Sequence, residues 1–195
     1  MAEKDVIMKV FRKLLPLAVI AAALSHSAPA VDLSVSTRLF DAKPGEWIRY
    51  VTPGRSDIIS VVSNEGEGEN ALITLLVFTE SQKPYSSRSS LLRVGGSFLM
   101  QKGLDAPDEN TTFSDGEITY GGKPMKVKIV TYTEPEMTGV WYLSEEVPVS
   151  GIVKLERFFN NTPDDKGSLI VESYGWTPKH ELPDPAGVTD VIDFR

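Results

Sequence analysis

Beyond residue 30 the apolar positions of this chain fall in short runs cut by turn residues, and helical spacing is almost absent. Trp47-Ile-Arg-Tyr-Val-Thr52 is introduced by Pro44-Gly45 and closed by Pro53-Gly54. Asp57-Ile-Ile-Ser-Val-Val-Ser63 follows, then a charged turn over Asn64 to Asn70, then Ala71-Leu-Ile-Thr-Leu-Leu-Val-Phe-Thr79. Three runs joined by short turns predict an antiparallel meander. Ser81 to Gly103 mixes serines, Gly95-Gly96 and Phe98-Leu99-Met100, a pattern that fits a strand, a loop or a short helix. Ala106 to Asp115 is polar and reads as a loop.

The best hairpin pattern joins Glu117-Ile-Thr-Tyr120 to Lys126-Val-Lys-Ile-Val-Thr-Tyr-Thr133. Gly121-Gly122 between them supplies the positive φ angles of a tight turn. Alternation places Val127, Ile129 and Thr131 on one face and Lys126 and Lys128 on the other. Further strands are predicted over Val140 to Ser144, Gly151 to Phe159 and Ser168 to Gly175, with a turn over Asn160 to Gly167. From Trp176 the tail carries Pro178, Pro183 and Pro185 and reads as extended across the surface. At least seven strands predict an all-β, mainly antiparallel domain over residues 31–195. Its form is a single large curved sheet or a half-open barrel with few or short helices, ending in a proline-containing tail, 176–195.

The first thirty residues follow another pattern. A basic stretch, Met8 to Lys13, precedes the apolar run Leu14 to Leu24, then Ser25-His26-Ser27 and Ala28-Pro29-Ala30. This is the layout of a secretory signal peptide, residues 1–30, recognised at Ala28 and Ala30 and cleaved after Ala30. A helix of eleven residues spans about 16 Å, against roughly 30 Å of bilayer core, so the run is too short for an anchor. Glu3 and Asp5 ahead of the basic stretch suit a translation start at Met8 better than one at Met1. The expected location is therefore the periplasm or the cell exterior, with no transmembrane anchor after cleavage.

Composition narrows the chemistry. The 195 residues include no cysteine and carry a net charge of −7, which becomes −9 once residues 1–30 are set aside. Disulfides, thiolate metal sites and a cysteine nucleophile are excluded. The acidic balance argues against nucleic acid as a partner and against binding anionic membranes by charge. His180 stands alone in the proline-rich tail and reads as a solvated loop residue. Gly95-Gly-Ser-Phe-Leu99 lacks the second glycine of a nucleophile elbow. Asp105, Asp108, Glu109 and Asp115, and separately Asp164-Asp165, lack the alternating oxygen spacing of a calcium loop. Glu145-Glu146, beside Trp141 and Tyr142, is the best candidate for a hydrolytic carboxylate pair. Adjacent strand positions diverge, however, so no convergence is expected there. The reading is a non-enzyme without cofactor or metal.

Aromatic and apolar bulk is the remaining signal. Trp141 and Leu143 share one face of a strand, Val140 and Tyr142 the other. A sheet with both faces apolar needs a second layer, closure or an apolar ligand. Trp141, Leu143, Val153 and Leu155 are the candidate lining residues for a lipid or other apolar small molecule.

Gly45-Glu-Trp-Ile-Arg-Tyr50, Trp141-Tyr-Leu-Ser-Glu-Glu-Val-Pro-Val-Ser-Gly-Ile-Val-Lys154 and Glu172-Ser-Tyr-Gly175 together resemble a set of exported bacterial β-sheet proteins. Those proteins share an early Gly-Asp-Trp-Val-x-Tyr and a late Trp-x-Ser-x-x-Val-Pro-x-Gly-Leu-Val-Lys, and Glu46 departs from the first of these. More loosely, the layout resembles the periplasmic lipoprotein-carrier fold, whose unclosed sheet cups acyl chains. The resemblance implies a binding or carrier protein and no catalytic residue. The competing expectation is a structural or interaction component of the envelope that works through edge strands or the tail.

Overall fold

A computed structural model describes residues 38–67, 70–82, 85–96, 104, 107–179 and 181–194. Ala28, Ala30, the whole of the expected leader, Phe98 to Met100, Asp105 and His180 lie outside the described residues. A four-residue helix, α1 (Arg38–Asp41), leads into β1 (Trp47–Thr52), β2 (Arg55–Glu65), β3 (Leu72–Gln82) and β4 (Tyr85–Gly95). Then come β5 (Thr111–Tyr120), β6 (Lys123–Thr133), β7 (Met137–Leu143), β8 (Ile152–Phe159), β9 (Thr162–Pro163), β10 (Leu169–Gly175) and β11 (Val191–Phe194).

All eleven strands belong to one unclosed sheet, ordered β11-β4-β3-β2-β1-β10-β8-β7-β6-β5, with β9 on β8. Two meanders are stitched together by β10. One is β1 to β4 and the other β5 to β8, and β10 pairs along β1 on one side. Against β8 it meets only Leu155 and Lys154, through Leu169 and Ile170. The hairpin turns follow from glycine: Gly54 takes φ 79° between β1 and β2, and Gly121 and Gly122 take φ 56° and 78° between β5 and β6.

The sheet is rolled. β5 lies four strand positions from β10, which in a flat sheet would be about 19 Å. Yet the Tyr120 ring at the end of β5 is 5.7 Å from that of Tyr174 on β10, and its hydroxyl donates to the Glu172 carbonyl at 3.2 Å. Register shifts at Arg49/Tyr50, Val61/Ser63 and Tyr142/Leu143 add local bend. One continuous core results, running from Ile48, Tyr50, Ile59, Leu75 and Val94 to Val130, Trp141 and Leu155.

One local expectation is corrected and two are refined. The stretch after Ser81 that fits several states is strand β4 over its described part, paired along β3 from Gln82↔Tyr85 to Leu72↔Gly95. The polar loop ends at Asn110, because Thr111 to Asp115 already pair with Tyr132 to Lys128. In β6, Met125 and Val127 are buried on one face, but Val130 and Tyr132 are buried on the other. Pairing is unbroken across that switch, so the twist of a long hairpin, not a bulge, turns a different face inward at each end. Ile129 and Thr131 are accordingly only half-buried.

The tail does more than run over the surface. After a single turn of 3-10 helix, Pro185–Gly187, it adds β11 parallel to β4, Val191↔Leu91 through Phe194↔Val94. Asp190 locks the entry: Arg88 reaches it at 2.7 Å and the Ser90 hydroxyl hydrogen-bonds to it. Those two bonds hold the Asp190 carboxyl below the usual range, the hydroxyl contributing most.

Candidate functional site

The Gly45–Tyr50 and Trp141–Lys154 stretches meet in space. Ser144 to Gly151, the connection from β7 to β8, turns inward: Val147, Val149 and Ser150 are buried. The Tyr50 hydroxyl contacts the Ser150 hydroxyl at 2.6 Å and donates to the Ile152 carbonyl at 2.9 Å. Burial pushes the Tyr50 hydroxyl well above its ordinary pKa, against the opposing effect of Ser150. Glu46, buried ahead of β1, accepts from the Val149 N–H at 3.5 Å. Val149 takes φ 67° and Gly151 φ 74°. The first is an uncommon conformation for a β-branched residue, and surrounding contacts must hold it there. This knot seats the Glu145-Glu146 turn at the sheet's open side.

There a cleft of about 860 Å³ lies between the far half of the β5–β6 hairpin and the end of β7, lined by Asp115 to Glu117, Lys126 to Lys128 and Leu143 to Glu146. Val127 and Leu143 border it from the core, both nearly fully buried. Glu117 stands directly across from Lys126, and Asp115 from Lys128. Each lysine therefore faces a carboxylate, and Glu145 and Glu146 leave the rim net acidic. Sequence parity sends these two glutamates to opposite faces, but they sit on a turn after the strand, so both line the cleft.

Of the four expected lining residues, Leu143 reaches the cleft. Trp141 shares its strand face, stands opposite Leu155 and is buried in the core with it. Val153 is also buried there, but the bulge after Tyr142 sets Ile152, not Val153, opposite Leu143. Leu155 additionally borders a hollow of about 300 Å³ between β8 and β10, with Val51, Phe158 and Leu169. Among the described residues, the buried indole N–H of Trp141 has no hydrogen-bond partner. Natural cores seldom leave a donor in that state.

Beside the cleft stands an aromatic row that strand parity does not bring together. Tyr120 stacks on Tyr174 at 5.7 Å, and Trp176 meets Tyr174 edge-on at 5.4 Å and 88°. Burial and then the Glu146 carboxylate push the Tyr174 hydroxyl pKa up. Trp47 lies against Gly175 on the same stretch of chain, with Lys179 over its ring at 4.4 Å. The signal available in sequence was only the Tyr-Gly-Trp at 174–176; its partner Tyr120 comes from a strand four positions away.

The other acidic clusters build turns. Asp108 accepts from the Asn110 N–H at 2.8 Å, and the Asp164 carbonyl takes the Gly167 and Ser168 N–H groups. On the outer face of β7 and β8, Glu156 accepts from Tyr142 and pairs with Lys154, both at 2.7 Å. Burial raises the Tyr142 hydroxyl to about 12, helped by Glu156.

No family model matches this chain, and no curated protein does. Among solved structures, it is similar to the hypothetical protein CT021 from Chlamydia trachomatis, with a TM-score of 0.47 and 9% identity over 75% of this chain and 94% of that one. It is also similar to PNGF-II, with a TM-score of 0.36 and 9% identity over 76% of this chain and 30% of that one. Neither likeness bears on function.

Proposed function

We propose that this chain is an exported, non-catalytic binding or carrier protein of the periplasm or cell exterior, holding an apolar or amphipathic molecule at the rolled sheet. The observation that carries the reading is the open cleft of about 860 Å³ between the β5–β6 hairpin and the end of β7, with its net acidic rim. The cleft volume lies within the range of small-molecule sites. Its excess of carboxylates favours a ligand whose polar end is neutral or cationic.

Native mass spectrometry of the protein purified from its own host is expected to carry a co-purified lipid-like mass. The delipidated protein should bind the uncharged dye Nile red. A folded protein that carries no such mass and takes up no dye would sink the reading. Export itself is tested by the mature N-terminus, expected at Val31, and by Ala30→Arg, expected to block processing.

A second reading, an envelope component acting through its edges, draws on β4. β11 covers only Leu91 to Val94, and Tyr85 at the uncovered end is 77% exposed. A partner captured through this edge, and lost on Tyr85→Lys, would favour it.

A further inference from the structure

We infer that Tyr174 and Trp176 form the seat of an alkylated ammonium group, the cationic end of the molecule whose apolar part occupies the cleft. The assignment rests on the proposed function only for that apolar part. The two rings stand at 88°, so they make two walls of a corner. Aromatic faces are the electronegative side of the ring, and an ammonium within about 6 Å of them is attracted without giving up hydrogen bonds it cannot make. Trp176 is 56% exposed and therefore accessible.

The corner is preorganised. Tyr120 backs Tyr174, its own hydroxyl held by the Glu172 carbonyl. On the opposite face of the strand, Gly175 lies so close to the Trp47 indole that a Cβ would stand 2.7 Å from it. Gly45 is pressed in the same way by Pro178, which anchors the chain just beyond Trp176.

Charge selects the class of ligand. The Glu146 charge acts on Tyr174, and the Tyr120 hydroxyl bonds the Glu172 carbonyl. Arg49 pairs with Glu172 at 3.0 Å and with Glu80 at 3.5 Å, so its charge is met from both sides. Lys179 lies over Trp47 and within 3.7 Å of Glu181. With a chain charge of −7, anionic headgroups and nucleic acids are repelled. Glu146 lines the cleft and its charge also acts on Tyr174, so the acidic rim favours a cation at this corner.

The test is titration of the purified protein with choline and with its neutral carbon isostere, 3,3-dimethylbutan-1-ol, followed by tryptophan fluorescence and by NMR. Choline should bind about ten-fold more tightly than the isostere, and less tightly as salt rises. Trp176→Ala should abolish choline binding but leave Nile red uptake intact, and Trp176→Phe should restore part of it. Equal binding of the two probes, choline binding unchanged in Trp176→Ala, or preference for a neutral oligosaccharide would each overturn the assignment. Dye uptake without choline binding defeats this inference alone. Choline binding without dye uptake defeats the proposed function and leaves the ammonium seat standing.

Discussion

Tyr50 shows how much one hydroxyl can organise. It joins β1 to the inward-turned connection a hundred residues later, through Ser150 and the Ile152 carbonyl. Tyr50→Phe keeps the ring and leaves those buried partners short of a bond. Stability in denaturant should fall by about 1–3 kcal/mol, with an unchanged m-value. Glu156 gives a pH signature of opposite origin. Burial alone would raise its carboxyl, but the bonds from Lys154 and Tyr142 win and hold it below 4.5. A carboxyl lowered in the folded state contributes stability that is present above its unfolded pKa and is lost as pH falls through the folded one. Chemical denaturation between neutral pH and pH 3 should therefore show an acid loss that Glu156→Gln makes shallower. Tyr142 has the reverse sign: raised to about 12, it contributes below 10 and loses that contribution as pH climbs through 12.

At the scale of the strand, β7 depends on a glycine. A Cβ on Gly139 would stand 2.7 Å from the Trp141 ring, which lies along the same face two residues on. Gly139→Ala must move that ring, costing about 1–3 kcal/mol. The near-ultraviolet circular dichroism should change while the far-ultraviolet spectrum holds. Much at this scale was legible beforehand. The Gly121-Gly122 hairpin and the Trp141/Leu143 face follow from turn chemistry and alternation. Two features were not. The burial switch along β6 comes from twist, which leaves residue parity untouched. Glu145 and Glu146 border one cleft because they lie beyond the strand's end, where alternation no longer sorts faces.

For the whole molecule, the tail decides whether an edge is open. β11 is only four residues long, yet it caps the end of β4 that carries Leu91 to Val94, and Asp190 fastens it through Arg88 and Ser90. An uncovered strand edge is a template for further pairing. A chain ending at Val188 should keep its fold but elute as larger species in size-exclusion chromatography with light scattering. A truncated chain that stays monomeric would show that this edge protects itself.

The sequence by itself determined an all-β chain: its turn residues, its period-two runs and its lack of cysteine leave burial in a sheet as the means of holding together. It also placed Trp141, Leu143, Val153 and Leu155 among the apolar positions of two neighbouring strands. Only the tertiary structure decided which of them reach a cleft, that Tyr120 meets Tyr174, and that the last residues pair with β4. The reason is one of range. Alternation and turn chemistry act between neighbours along the chain, whereas roll, bulge and edge pairing depend on the summed twist of strands distant in sequence.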